Sequence, residues 1–245
     1  MMSFFHSVLY TPIYNLLMFL TDILPGQDIG LAVVAATLIV KVILMPLSFA
    51  ALRTQRAIKA IEPEMKEIRE KLKDDKENQA KEMFALYKKY GVNPFAGLLT
   101  LIIQLPIVIA LYWVFNNKTL LSVDASILYS FVPAPLAISP LFLGIFAVTG
   151  ASITLALIAA VTQFAYGWYA IPVPEKSTKK PGTDMQADFG RSLALQMRFM
   201  LPVFIGIAAY YTSVAIALYF ITSNLIGVLQ EFIIRRKKME LTVGT

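Results

Sequence analysis

The chain alternates long apolar runs with one extended amphipathic stretch. A bilayer-crossing helix needs about 20 predominantly apolar residues. Four runs meet that requirement: Gly30–Leu52, Pro94–Phe115, Gly150–Ile171 and Ser213–Ile234. A fifth, Leu193–Tyr211, is shorter in its apolar part but contains "MRFMLPVFIGIAAYY". The pattern predicts an all-α polytopic membrane protein with five transmembrane helices. The segment 127–146 is also apolar, yet it holds Pro133, Pro135 and Pro140. Three prolines so close together break a helix, so this segment reads as a lipid-touching external loop or a short interfacial hairpin. Near the N-terminus Thr11 and Pro12 predict a helix start, with Thr11 as cap and Pro12 at the first helical position. Ile13, Leu16, Leu17, Leu20 and Leu24 then recur at helical spacing, while Asn15, Thr21 and Asp22 fall elsewhere. Residues 1–27 therefore read as an amphipathic helix lying in the outer interface. They carry no basic n-region, which makes them a poor signal peptide.

The amphipathic stretch, 53–93, follows a different period. Ile58, Ile61, Met65, Ile68 and Leu72 are spaced three and four apart, a heptad seam. "KDDKEN" is a polar turn, and Ala80, Met83, Phe84 and Tyr87 make a second seam. Two such helices joined by a short turn pair antiparallel, and Pro63 marks a kink or a new helix start. The expected organisation is an interfacial helix (1–27), a first span (28–52), the helical hairpin (53–93), a second span (94–115) and an outer loop (116–149). A third span (150–171), a cytoplasmic loop (172–192), a fourth and a fifth span (193–211 and 213–234) and a tail (235–245) complete it.

Composition agrees with a membrane protein: 57% of residues are hydrophobic and 16% charged, against about 25% charged in soluble domains. The net charge of +6 matters through its placement. Residues 1–27 carry no Lys or Arg, residues 51–90 carry eleven, 172–198 five and Arg235–Lys238 four. Putting the hairpin, the 172–192 loop and the C-terminus in the cytoplasm satisfies the positive-inside rule, with the N-terminus outside. In the hairpin eight acidic residues offset the eleven basic ones. That mixture favours a salt-laced hairpin over a nucleic-acid clamp, and no sequence-specific nucleic-acid binding is expected. Arg53, Arg56, Lys59, Lys66 and Arg69 are the candidate partner-docking residues, or an approach to anionic headgroups.

The polar side chains inside the apolar runs include Lys41, Gln104, Gln163, Ser223 and Asn224. A cation at the bilayer centre costs about 2.5–3.5 kcal/mol on insertion scales, and Lys41 lies too deep for easy snorkelling. No Asp or Glu occupies the central third of any span. The inference is a hydrated cavity around the ammonium, able to attract an acidic or polar group brought by a partner. For each Gln and Asn, ordinary interhelical hydrogen bonding is the competing reading. Pro46, Pro106 and Pro202 sit inside spans and free backbone carbonyls.

The chain has no cysteine and a single histidine, His6, so neither a metal nor another cofactor is expected. No GxxxxGK[ST], HExxH or GxSxG occurs. The expectation is a protein that is not an enzyme and runs on binding and partition energy or on the membrane potential.

Several segments resemble the YidC/Oxa1/Alb3 membrane protein insertases. "IVKVILMPLSFAALRTQRAIKAIEPEM" is similar to that family's first core span running into its cytoplasmic hairpin. "YKKYGVNPFAGLLTLIIQLPIVIALYWVF" resembles a Tyr-x-x-x-Gly-x-Asn-Pro turn leading into a helix with Gln-x-Pro-Ile. "MQADFGRSLALQMRFMLPVF" and "ALYFITSNLIGVLQEFII" resemble the last two spans. The family commonly has arginine where Lys41 stands, and Tyr-Trp where this chain has Tyr219-Phe220. The resemblance implies five spans enclosing a hydrophilic groove open to the cytoplasm and to lipid, and assistance to nascent membrane proteins without nucleotide hydrolysis. Lys41 would draw in acidic client tails, and Gln104, Gln163 and Asn224 would supply hydrogen bonds. The implied partners are nascent membrane proteins, the ribosome, the Sec translocon and the lipid bilayer; the implied location is the cell membrane. Two other readings stay open: a small-anion transporter with Lys41 as its binding charge, or a scaffold that recruits partners through residues 53–90.

Overall fold

The computed structural model describes residues 5–93, 96–116, 123–171, 173 and 185–236. Most of the basic loop 172–192, the tail beyond Arg236, Pro94 and Lys118 lie outside the described residues. Those described form nine α-helices and one two-stranded hairpin: α1 (Thr11–Ile23), α2 (Ile29–Ile43), α3 (Met45–Ala60), α4 (Glu62–Lys71), α5 (Lys76–Lys89), α6 (Ala96–Asn116), β1 (Leu141–Phe142), β2 (Phe146–Ala147), α7 (Ile153–Ala170), α8 (Met185–Thr212) and α9 (Val214–Arg236). Among them three helices are long and apolar enough to cross a membrane, and α2 with α3 qualifies as a fourth, broken span. Helix α6 includes the shorter apolar stretch Gln104–Phe115.

Two boundaries differ from the sequence expectation. Thr11 does not cap α1: a π-helical turn, His6–Tyr10, runs straight into it, and Thr11 itself has φ −60° and ψ −47°. The run expected as one span from Gly30 divides at Leu44. Pro46 stands at the second position of α3, where its missing N–H is tolerated but where it cannot continue the preceding helix. Pro106 and Pro202, by contrast, lie inside unbroken helices.

The chain forms two compact units, Met1–Ile43 with Leu105–Leu229 and Leu44–Gln104 with Gln230–Thr245. In the first, α7 and α8 make the most extensive helix pair. Small residues set that approach: a Cβ on Gly206 would meet Ala160 at 3.0 Å, in keeping with close packing of membrane helices through small side chains. Helix α1 buries Tyr14, Leu17, Met18 and Thr21. Asn15, assigned to the polar side by its spacing, is buried because it has work to do there. Its Nδ2 donates to the Thr11 and Ile127 carbonyls at 2.8 and 2.9 Å, and its Oδ1 accepts from Tyr129 N–H at 2.7 Å.

The proline-rich segment is ordered by the same unit. Strands β1 and β2 pair antiparallel with Leu141 opposite Ala147 and Phe142 opposite Phe146. Asp28, 6% exposed, caps α2 by accepting from Gly30 and Leu31 N–H at 2.8 and 3.0 Å, and its other oxygen accepts from Leu143 N–H at 2.7 Å. Phe142 lies so close to Gly30 that a Cβ there would meet it at 2.6 Å. At the far end Val214 and Ala215 N–H, the first residues of α9, donate to the Gly150 and Val148 carbonyls at 2.8 and 3.0 Å.

In the second unit, α4 and α5 pack around Ile61, Met65 and Leu86, flanked by Ile58, Ile68, Met83, Tyr87 and Tyr90. The seam is shifted from the one spaced out in sequence: Leu86 is buried and Phe84 is exposed. Pro63 lies in the first turn of α4, a new helix rather than a kink. The turn closes through Asp75, whose carboxylate accepts from Asn78 N–H at 3.0 Å, and through buried Gln79. Its Nε2 donates to the Arg69 and Leu72 carbonyls at 3.2 and 3.4 Å, satisfying acceptors that the end of α4 leaves open.

Candidate functional site

The candidate polar residues divide between the units: Lys41, Gln163, Ser223 and Asn224 in the first, Gln104 in the second. Lys41 sits in the last turn of α2 and is half-buried, with Val42 and Ile43 exposed beside it. Gln163 on α7 and Ser223 and Asn224 on α9 are buried. Gln104 on α6 is half-buried.

Helices α7 and α9 bring part of this set together. Asn224 Nδ2 donates to Thr162 Oγ1 at 3.4 Å. The Thr162 hydroxyl is already turned back onto its own helix, toward the Ile158 and Ala159 carbonyls at 2.9 and 3.0 Å. That is the usual way a membrane helix hides a threonine. One turn further along, a Cβ on Gly227 would meet the Tyr166 ring at 2.5 Å. Glycine is therefore what lets the aromatic ring of α7 lie against α9. Thr222, Ser223 and Asn224 are consecutive buried polar residues, so they spread around α9 rather than along one stripe. The arrangement offers hydrogen bonds in an apolar setting. No group of three or more His, Cys, Asp or Glu residues among those described could hold a metal.

Two structural partners escaped the sequence reading. Arg198 on α8 donates from Nη2 to the Ile171 carbonyl, and its guanidinium lies over the Trp168 ring, 4.8 Å from the centroid. It thereby satisfies a carbonyl at the end of α7 and makes a cation–π contact. Spacing alone could not find this, because Arg198 and Ile171 are 27 residues apart. The second is Arg56, expected among the docking residues. Its Nη2 contacts Glu231 Oε1 at 2.9 Å, and the Glu231 side chain is only 8% exposed. Of the other docking candidates, Arg53, Lys59 and Lys66 are exposed. Lys66 lies 3.9 Å from Glu62, and Arg69 is half-buried with its carbonyl engaged by Gln79.

The hairpin has its own electrostatic tie. The Tyr90 hydroxyl donates to Glu64, and Lys89 Nζ lies 3.4 Å from the same carboxylate. That hydroxyl, with the ammonium beside it, holds the Glu64 carboxyl below its ordinary range. The Glu64 carboxylate in turn raises Lys89.

Residues 19–241 match the family model described as "60Kd inner membrane protein". The chain belongs to the YidC family of membrane protein insertases. It is 33% identical over 216 residues to Membrane protein insertase YidC of Clostridium tetani, covering 88% of this chain and 84% of that relative. The Oceanobacillus iheyensis YidC is 28% identical over 219 residues, with coverage of 87% and 77%. A longer YidC, from Actinobacillus pleuropneumoniae serotype 3, is 29% identical over 227 residues, 92% of this chain but 36% of the relative. Within the YidC match fall all five candidate polar residues and the whole helical hairpin.

Proposed function

We propose that the protein is a membrane protein insertase of the cell membrane, helping nascent membrane segments across by sheltering their polar ends in a hydrophilic intramembrane groove. The observation that carries this reading is the family match over nearly the whole chain. It is supported by polar side chains set among apolar residues on α2, α6, α7 and α9. Lys41 supplies positive charge for acidic client tails. Gln104, Gln163, Ser223 and Asn224 supply hydrogen bonds that replace water as the tail leaves it. Nothing in this scheme consumes nucleotide: the client's apolar segment releases free energy by partitioning into lipid, at about 25 cal/mol per Å² of apolar surface removed from water.

The same reading has five spans. The start of α2 is tied to the turn of the β-hairpin by Asp28 and Leu143, and the start of α9 is tied to the residues before α7 by Val214 and Gly150. In this reading α2, α7 and α9 begin at one face, and the chain returns between them through α6 and α8. With the basic hairpin in the cytoplasm, the N-terminus lies outside and the C-terminus inside. The exposed basic residues Arg53, Lys59 and Lys66 of the hairpin region receive clients, the ribosome or the Sec translocon.

Reconstitution into liposomes with a single-span client bearing an acidic outer tail tests the proposal. One to two kcal/mol of attraction corresponds to about a five- to thirty-fold effect, so Lys41→Ala lowers insertion by about that factor and Lys41→Arg restores it. Neutralising the client's tail removes the difference. Equal insertion by wild type and Lys41→Ala would refute the role of the charge. Equal insertion with and without protein would refute the insertase reading.

A further inference from the structure

The loop from Phe131 to Ile145 is unlike a loop built for water. From Ala125 to Pro174 the chain has no charged residue. Leu136 is 97% exposed, Phe131 78% and Ile145 72%, with Leu143 also exposed. Loops in water are ordinarily polar and leave backbone groups to solvent. Here part of the backbone is met from within. Val132 N–H donates to the Tyr129 carbonyl, Ser139 to Gln27, Ile145 to Phe142 and Val148 to Pro140, while Leu143 donates to Asp28. Pro133, Pro135 and Pro140 have no N–H to satisfy. Each N–H met within the loop, or absent at a proline, lowers the cost of placing the segment beside lipid.

The loop's depth is fixed independently. Leu143 is fastened to Asp28, the residue immediately before α2, and Phe142 packs on Gly30 in the first turn of α2. Val148 and Gly150 hold the first residues of α9, and Ile153 opens α7. Three membrane helices thus begin at the level of the hairpin. Helix α7, which opens just after the hairpin, also exposes an apolar row, Ile153, Leu157 and Val161, a face that lipid covers in any spanning helix.

We propose that this loop docks onto the bilayer itself, with Phe131, Leu136, Leu143 and Ile145 seated at the acyl–headgroup boundary of the leaflet where α2, α7 and α9 begin. The occupant is lipid, not a second protein: the patch offers no charge for a partner to read and is fastened where α2 and α9 begin. Its consequence is a fixed collar, which holds the proline loop at one depth beside the helix starts.

The chain lacks cysteine, so L136C and I145C give unique labelling sites, with K73C in the polar turn as the water-exposed reference. Each is labelled with an environment-sensitive fluorophore and reconstituted in phosphatidylcholine–phosphatidylglycerol vesicles. At both loop positions a nitroxide near the top of the acyl chain quenches more than one near its end, and iodide quenches at least fivefold less than at position 73. Iodide quenching of both positions at the level of K73C would overturn the proposal by placing the loop in water. Protection from iodide without quenching by either lipid nitroxide would also overturn it, by placing protein over the patch.

Discussion

Asp28 fastens two elements distant in sequence, and its removal has a magnitude that follows from its bonds. Its carboxylate is buried and accepts three backbone N–H groups, two at the start of α2 and one from Leu143, 115 residues away. Asp28→Ala loses the helix cap, about 1 kcal/mol, and a hydrogen bond to a charged acceptor, about 1.5–3 kcal/mol. The sum is about 3 kcal/mol, but the two losses act in different places. Cap loss frays the first turn of α2; the lost acceptor frees the hairpin. Asp28→Asn separates them. One amide oxygen still serves Gly30 and Leu31, while an NH2 group faces the Leu143 donor. Hydrogen–deuterium exchange of the reconstituted protein reads both sites. Because about 1.4 kcal/mol is tenfold, the Leu143 amide exchanges about 10- to 100-fold faster in both variants, whereas Gly30 and Leu31 accelerate mainly in Asp28→Ala. If Leu143 exchange stays within twofold of wild type in Asp28→Ala, the carboxylate does not hold the loop and the reasoning fails.

Other consequences are equally concrete. Gly30→Ala forces a Cβ into Phe142 and Gly227→Ala forces one into the Tyr166 ring; each destabilises by about 1–3 kcal/mol, the usual range for overpacking, measured as a lowered thermal midpoint, and trimming the facing ring recovers part of it. Arg56→Ala removes the cation facing a buried Glu231 carboxylate and costs about 1–3 kcal/mol, while Arg56→Ala with Glu231→Ala costs less than the sum of the single changes. The tie between Glu64, Tyr90 and Lys89 is pH-dependent in two directions. Because Glu64 is held down, its contribution is complete above the unfolded-state value and is lost as pH falls through the lowered one; because Lys89 is raised, its share is complete below the unfolded-state value and is lost as pH rises through the raised one. NMR titration of Tyr90 follows the acid limb, and Glu64→Gln abolishes it.

Periodicity carried much of the architecture. The apolar runs and the heptad spacing of 58–72 were enough to place helices, because burial in lipid or in a two-helix seam imposes a repeat that sequence must obey. It failed where a single tertiary contact outweighed local pattern. Thr11 looked like a cap, but the π-helical turn upstream continues the helix through it. Phe84 fitted the seam by hydrophobicity, yet Leu86 fills it. Asn15 fell on the polar side of its helix and is buried because the 127–129 backbone comes to it. Within the candidate site, the apolar neighbours of each polar residue are visible in the sequence, whereas the break that puts Lys41 in the last turn of α2 is not. Nor are the bond from Asn224 to Thr162 and the guanidinium of Arg198 over Trp168, since both depend on which faces of α7, α8 and α9 meet.

A single non-helical residue, Ser213, separates α8 from α9, and from Phe199 to Gln230 the sequence carries no charge. The two helix arms on either side of that residue, Phe199 to Gln230, therefore form one folded-over stave with neither a hydrated domain nor an ion between their ends.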